Sequence, residues 1–235
     1  MGYLWNGTSS RLTISGTPAV PSWLSGSLWF YPTDGTLADQ MLFGQVNTTG
    51  AAYYGVFFGS TSAADKVYFG DSTTGFVQSG SAANLNAWNH VYWSYNSYAA
   101  PDLYQISLNG EALQTAVYGG GAPATTVATC VGFKRNGAVG PHSNWFAGYI
   151  AEISIYNDVM DVTYGDRYKA LSKRWSPLRI MPDGNVTSAG LTHYWPLKKG
   201  LVDIISKRSL NSTVLPTIAA VHPKVFGVGR AQLVA

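Results

Sequence analysis

Trp88-Asn89-His90-Val91-Tyr92-Trp93-Ser94-Tyr95-Asn96, then Ile106-Ser107-Leu108-Asn109-Gly110-Glu111, then Trp145-Phe146-Ala147-Gly148-Tyr149-Ile150-Ala151-Glu152-Ile153-Ser154-Ile155-Tyr156-Asn157 are the stretches that decide the fold. Each is rich in β-branched and aromatic residues, and turn residues separate them, which is the pattern of antiparallel strands. Trp88, Val91, Ile153 and Ile155 read as core positions, and His90 as a hydrogen-bonded residue of a central strand.

The same rhythm extends towards the N-terminus. Leu4-Trp5-Asn6-Gly7 through Leu12-Thr13-Ile14 reads as a hairpin, because Asn-Gly tolerates the positive φ of a tight turn. Ser25 to Tyr31 is a strand stopped by Pro32 and an Asp34-Gly35 turn. Met41–Val46, Tyr53–Phe58 and Lys66–Gly70 follow at short spacing, as in a β-sandwich. Beyond Tyr156 the period changes. Tyr164, Tyr168, Leu171 and Trp175 form one apolar stripe at helical spacing, with Asp161 as N-cap and Pro177 as the stop. Ser176 to Gly190 reads as a linker. Leu191–Leu197, Leu201–Ile205 and Val221–Val228 are short apolar runs in a segment of roughly 45 residues, too small to bury a core alone. It is expected to pack on the sandwich or on a neighbouring subunit.

Composition agrees with an all-β chain. Of 235 residues, 46% are hydrophobic, 14% aromatic and only 11% charged, and Glu occurs only at 111 and 152. The net charge of +3 conceals a division. Residues 1–164 carry four basic and nine acidic residues, a formal −5, whereas 165–235 carry eleven and three, a formal +8. Such asymmetry marks an interaction surface. Cys130 is the single cysteine, so no disulfide framework exists, and it reads as a small buried thiol. The N-terminus has no basic-then-apolar leader, and no apolar run approaches the ~20 residues needed to span a bilayer. A soluble protein made in the cytoplasm, with no membrane partner, is the expectation.

These stretches resemble the laminin-G-like, concanavalin A-like jelly roll. Trp5-Asn6-Gly7 to Ile14 is similar to the family's opening, and Leu28-Trp29-Phe30-Tyr31-Pro32 to its second strand. Trp88-Asn89-His90-Val91, Leu108-Asn109-Gly110 and Phe146 to Asn157 follow in the family's order. The likeness covers roughly residues 1–175. It implies an all-β antiparallel sandwich closed by one short helix, followed by a C-terminal extension over 176–235. The Leu191 to Leu210 segment resembles a truncated opening of a further such domain. A sandwich followed by a short Trp-Pro-Leu run of this kind resembles proteins of tailed bacteriophages.

The chemistry was weighed on the same residues. A retaining glycosidase needs two carboxylates about 5–5.5 Å apart, and the only comparable strand carries Glu152 alone, while Glu111 reads as a solvated turn residue. No Gly-x-Ser-x-Gly elbow accompanies His90, His142, His193 and His222. The expectation is a non-enzymatic protein. The family's recurrent metal is calcium, but Asp34, Asp39, Asp65, Asp71 and Asp102 form no Asp-x-Asp cluster and read as solvated turn residues. No cofactor is expected beyond such a calcium. The basic residues of the tail are dispersed, which argues against nucleic acid.

Two functions follow. In the first, the chain is a virion structural protein, a capsid decoration made in the host cytoplasm. It would dock on the major capsid protein or other virion proteins through Trp195, Pro196, Lys198, Lys199, Lys207 and Arg208, as a homo-oligomer. In the alternative it is the glycan-binding module of a tail fibre or adhesin, holding a host-surface glycan with His142, Asn144 and Trp145; Tyr53 and Tyr54 come second. Against that stands Trp145 as an aromatic packed at the sandwich edge.

Overall fold

The computed structural model describes residues 2–14, 23–37, 39–46, 53–59, 65–71, 75–96, 101–118, 128–135, 142–157, 167–173, 177, 190–197, 200–202, 204–205, 209–211, 216–219 and 223. They build two antiparallel sheets packed face to face. Sheet A runs in the order β10 (Gln114–Tyr118), β9 (Asp102–Leu108), β8 (Asn89–Asn96), β3 (Trp23–Pro32), β14 (Ala147–Tyr156), β1 (Gly2–Asn6) and β17 (Thr217–Ala219); β15 (Leu191–Trp195) also pairs with β14. Sheet B runs β16 (Leu210–Asn211), β2 (Leu12–Ile14), β11 (Ala128–Val131), β4 (Gln40–Val46), β5 (Tyr53–Phe58), β6 (Val67–Asp71) and β7 (Gly75–Gln78). A two-stranded ribbon, β12 (Lys134–Arg135) with β13 (His142–Ser143), stands beside sheet B. The all-β sandwich expected from strand rhythm is the architecture of the chain.

Alternation explains the core. Leu28 and Phe30 of β3, Val91, Trp93 and Tyr95 of β8, Val56 and Phe58 of β5 and Phe69 of β6 meet between the sheets. Trp93 lies across Gly26, where a Cβ would sit 2.4 Å from the indole, so only glycine lets the ring cross the strand. Trp5 donates from Nε1 to the Val131 carbonyl at 3.2 Å, and Gly132, left-handed at φ +77, leaves the space that the indole occupies.

The two Asn-Gly turns behave differently. Asn109-Gly110, with φ of 52° and 79°, ends β9 and turns the chain into the β9–β10 hairpin. Asn6-Gly7 makes no hairpin: β1 pairs with β14 and β17 in sheet A, whereas β2 pairs with β11 and β16 in sheet B. Asn6 Oδ1 accepts the backbone N–H groups of Thr8, Ser9 and Ser10, so the side chain turns the backbone outward and across to the other sheet.

The helical stripe appears as α1 (Arg167–Ser172), six residues long, with Leu171 buried against Tyr92, Tyr156, Leu191 and Tyr194. Its expected extensions at 161–166 and 174–176, and most of the 176–190 linker, lie outside the described residues. The C-terminal segment joins both sheets within the same chain. β15 pairs with β14, β16 with β2 and β17 with β1. The pivot is a bulge in β14, where Glu152 adopts φ 54° and two residues face Leu28. On the N-terminal side of the bulge β14 pairs with β1, and on the other side with β15. No helix among the described residues is long and apolar enough to cross a membrane.

Candidate functional site

The connections β1–β2, β3–β4, β5–β6, β7–β8, β9–β10 and β11–β14 all emerge at one end of the sandwich. Five non-glycine residues with left-handed backbone, Asp39, Asp65, Asn86, Asn109 and Asn144, lie in these connections. Short polar side chains visit this region most readily. Held strain of this kind gathers at functional sites.

Asp39 is the node of the rim. Its N–H donates to Gly59 O at 2.8 Å, its carbonyl accepts Asn144 Nδ2 at 2.8 Å, and its carboxylate accepts the Tyr68 hydroxyl. Gln40, fully buried next to it, donates to the carbonyls of Asp34 (2.8 Å) and Leu37 (3.1 Å) and accepts the Ala147 N–H at 2.9 Å. Three loops distant in sequence are thereby locked together. Burial holds the Lys134 ammonium below its ordinary range, and the Asp39 carboxylate partly opposes that shift. Thr36 donates to Asp34 from both hydroxyl and backbone, which holds that carboxyl below the usual range.

Against this node lies Trp145. Its half-buried ring stacks on Phe133 with centroids 5.5 Å apart and planes at 22°. Both sit on an outer-face cluster of Met41, Val46, Phe57, Tyr68 and buried Cys130. The result is a shelf with an indole on top and a carboxylate, a phenol and an ammonium alongside. An aromatic face stacks on apolar C–H surface, and the polar groups beside it exchange hydrogen bonds with hydroxyls.

The anticipated site residues fare unequally. Trp145 is on the shelf. Asn144 holds it in place: its amide nitrogen donates to Asp39 O, and its amide oxygen accepts from Ser143 Oγ at 2.7 Å. His142 pairs in register with Arg135, but its side chain lies outside the described residues. Tyr54 does not serve as an exposed platform, because its ring points inward and is 3% exposed; the Tyr53 side chain is not among those described. Of the docking set, Trp195 packs the core at 1% exposure, stacked on His193 at 5.1 Å, and Pro196 is half-buried. Lys198, Lys199, Lys207 and Arg208 lie outside the described residues.

Several solvated-turn expectations are corrected. Glu111 does not point into solvent: its carboxylate accepts Gly80 N (2.9 Å), Ser81 N (2.9 Å), Ser81 Oγ (2.7 Å) and Leu108 N (3.3 Å), tying the β7–β8 loop to the β9–β10 turn. Asp102 is 7% exposed and accepts the Tyr95 hydroxyl at 3.2 Å. Glu152 is buried in the β14 bulge and accepts the Tyr194 hydroxyl. His90 is buried without a hydrogen bond to either ring nitrogen, packed 5.2 Å from Trp29, and burial pushes its pKa down to about 3. Trp88 is half-buried instead of core. Among the described residues no group of three or more His, Cys, Asp or Glu is placed to hold a metal.

Tyr68, Lys134 and Phe133 carry no site signal in the sequence, and Asp39, which reads there as a solvated turn residue, is instead the hydrogen-bonded node of the rim. The partners of Asp39, namely Gly59, Tyr68 and Asn144, lie 20, 29 and 105 residues from it, and no local pattern announces them.

The chain belongs to the Laminin_G_3 family, the concanavalin A-like lectin/glucanases superfamily, which matches residues 6–163. Among solved structures it is similar to the native heptameric SAP-like pentraxin of Limulus polyphemus, with TM-score 0.57 and 12% identity over 72% of this chain and 80% of that one. It is similar to a Bacteroides ovatus ATCC 8483 protein provisionally named as carbohydrate-binding, with TM-score 0.59 and 15% identity over 93% of this chain; the match spans 62% of that protein's length. It is also similar to the CBM40 of the Ruminococcus gnavus IT-sialidase bound to α2,3-sialyllactose, with TM-score 0.55 and 15% identity over 73% and 96% of the two chains. No curated protein matches its sequence.

Proposed function

We propose that the chain is a non-catalytic carbohydrate-binding module whose rim shelf, Trp145 over Phe133 with Asp39 and Lys134 beside it, holds a sugar. The observation that carries the reading is the half-buried indole stacked on Phe133 beside Asn144, whose amide binds the Asp39 carbonyl, at the end of the sandwich where the left-handed loop residues gather. Glu111 is held by four structural hydrogen bonds, and Glu152 is buried in the β14 bulge where it accepts the Tyr194 hydroxyl, which supports binding over hydrolysis. Family membership and the carbohydrate-binding names among the fold neighbours point the same way. A glycan array followed by calorimetry on the best binder tests it. Trp145→Ala is expected to weaken that binding at least tenfold, about 1.4 kcal/mol; an array without a binder, or unchanged affinity, would remove the reading.

A second reading, a tailed-phage capsid decoration docked on other virion proteins, is favoured by the −5/+8 charge division. Its docking set reduces to Pro196 and the basic residues, because the Trp195 ring faces the core. Reversing Lys198, Lys199, Lys207 and Arg208 to Glu is expected to abolish salt-sensitive association with virion particles. Undiminished association would end it.

A further inference from the structure

On the opposite side of the molecule, the outer face of sheet A carries a second aromatic cluster. Tyr31 of β3 and Tyr149 of β14 are cross-strand partners, and Trp88 stands at the entrance to β8. Their rings form a triangle: Tyr31–Tyr149 at 5.4 Å and 85°, Tyr31–Trp88 at 5.7 Å and 71°, Trp88–Tyr149 at 6.4 Å and 49°. All three rings are half-buried. Neither Tyr31 nor Tyr149 has a hydrogen bond from its hydroxyl to any described residue. Tyr68, Tyr95, Tyr118 and Tyr194 each anchor theirs on Asp39, Asp102, the Phe76 carbonyl and Glu152. Tyr31 and Tyr149 thus present half-buried ring surface with phenolic groups that no described residue uses.

We propose that the Tyr31–Trp88–Tyr149 cluster is a second carbohydrate platform, distinct from the rim shelf and selective for an uncharged sugar. The cross-strand row continues through Leu4 to Thr217, and the next row on the same face is His90, Trp29 and Ala151. None of these is an acid, lysine or arginine, so nothing in the rows favours an ionic ligand. Exposed Thr33 follows Pro32 at the end of β3, and Asn86, whose N–H donates to Pro32 O at 2.9 Å, brings an exposed amide to the same edge. Aromatic surface bordered by hydroxyls and an amide matches a pyranose, which offers a C–H face and a hydroxyl rim.

Two other occupants fit less well. A quaternary ammonium must sit over ring faces, and rings already in contact at 5.4–6.4 Å leave no gap between them for it. A protein partner needs about 800 Å² per side, whereas no ring of the cluster is among the exposed large hydrophobics, which are Leu37, Phe76, Leu85, Val117, Val202, Ile204 and Ile205.

The inference rests on the carbohydrate reading of the fold but uses different residues, so the two can fail separately. The full chain is run in native gels cast with soluble mannan, galactan, glucan or xylan, and any retarding polymer is followed by calorimetry with its oligosaccharide. The expected result is retardation by a neutral polymer that survives Trp145→Ala and a rise in salt from 50 to 500 mM. Tyr31→Ala and Tyr149→Ala are expected to weaken it tenfold or more, and Tyr31→Phe with Tyr149→Phe, which keep the rings and the fold, several-fold. No retardation by any of the four polymers overturns the proposal. So does loss with Trp145→Ala and not with the tyrosine variants, which would place all binding at the rim, and so does a cluster found buried in a salt-resistant dimer.

Discussion

The outer faces of the two sheets are covered by different parts of the chain. Sheet B is covered locally. Met41 lies over Gly44 and Gly55, and Phe133 and Trp145 fold back from the β11–β14 connection, all within the region that matches the family. Sheet A is covered from a distance. Tyr92 and Tyr156 are sealed by Leu171, Leu191 and Tyr194, which come from residues beyond 163. The site side of sheet B therefore owes its cover to loops that are part of the sandwich, whereas sheet A depends on the C-terminal segment for its cover, although both sheets take an edge strand from that segment.

The sharpest test of how far the chain depends on its C-terminal segment is to remove Trp195, which that segment sends into the core between the sheets. A fully buried tryptophan replaced by alanine costs about 3–5 kcal/mol, and Trp195→Ala is expected to lower stability by that amount in urea unfolding. Trp145→Ala, half-buried on sheet B, is expected to cost under half as much while removing rim binding. Equal costs would show that the chain depends no more on what the C-terminal segment buries than on the local cover of sheet B.

Acid is expected to act next, and through sheet A. His90 has a folded pKa near 3 against an ordinary value near 6.5, so the folded state resists protonation. Its contribution is complete above pH 6.5 and is lost as pH falls towards 3, by up to about 1.4 kcal/mol per pH unit. Denaturant midpoints at pH 7.5 and 4.5 should differ more for the wild type than for His90→Gln, by ~2–3 kcal/mol at most. Parallel losses in both proteins would assign acid sensitivity to the carboxylates instead.

Tyr194→Phe should cost roughly 1–3 kcal/mol, since it leaves the buried Glu152 carboxylate without its phenolic donor at the pivot between β1 and β15. The smallest effect should come from Glu111→Gln, about 0.5–1.5 kcal/mol. Hydrogen exchange is expected to rise at Gly80 and Ser81, on the rim end of sheet B, with the cover of sheet A unchanged.

Much of the fold was legible because its signals are local. The β-branched and aromatic runs in Asn89–Asn96 and Ala147–Tyr156 placed two central strands, and Asn109-Gly110 marked the turn that ends β9. Asn6-Gly7 misled because a dipeptide specifies a turn and not the sheet that the next strand joins. Trp145 could be named as a candidate from its polar loop, but Asp39, Tyr68 and Lys134 could not, and Tyr31 and Tyr149 looked like ordinary strand aromatics.

By itself the sequence determined an all-β chain, its strand positions, its lone cysteine and the charge division between sandwich and tail. These follow from residue types and from a side-chain period of two, which any single strand displays. Only the tertiary structure decided that the tail supplies strands to both sheets, that Glu111 and Glu152 hold loops and a bulge in place, and that two aromatic surfaces lie on opposite faces. Those outcomes depend on hydrogen bonds and ring contacts between residues far apart in the chain, up to Gly2 facing Ala219 where β1 pairs with β17, so long-range packing sets the geometry.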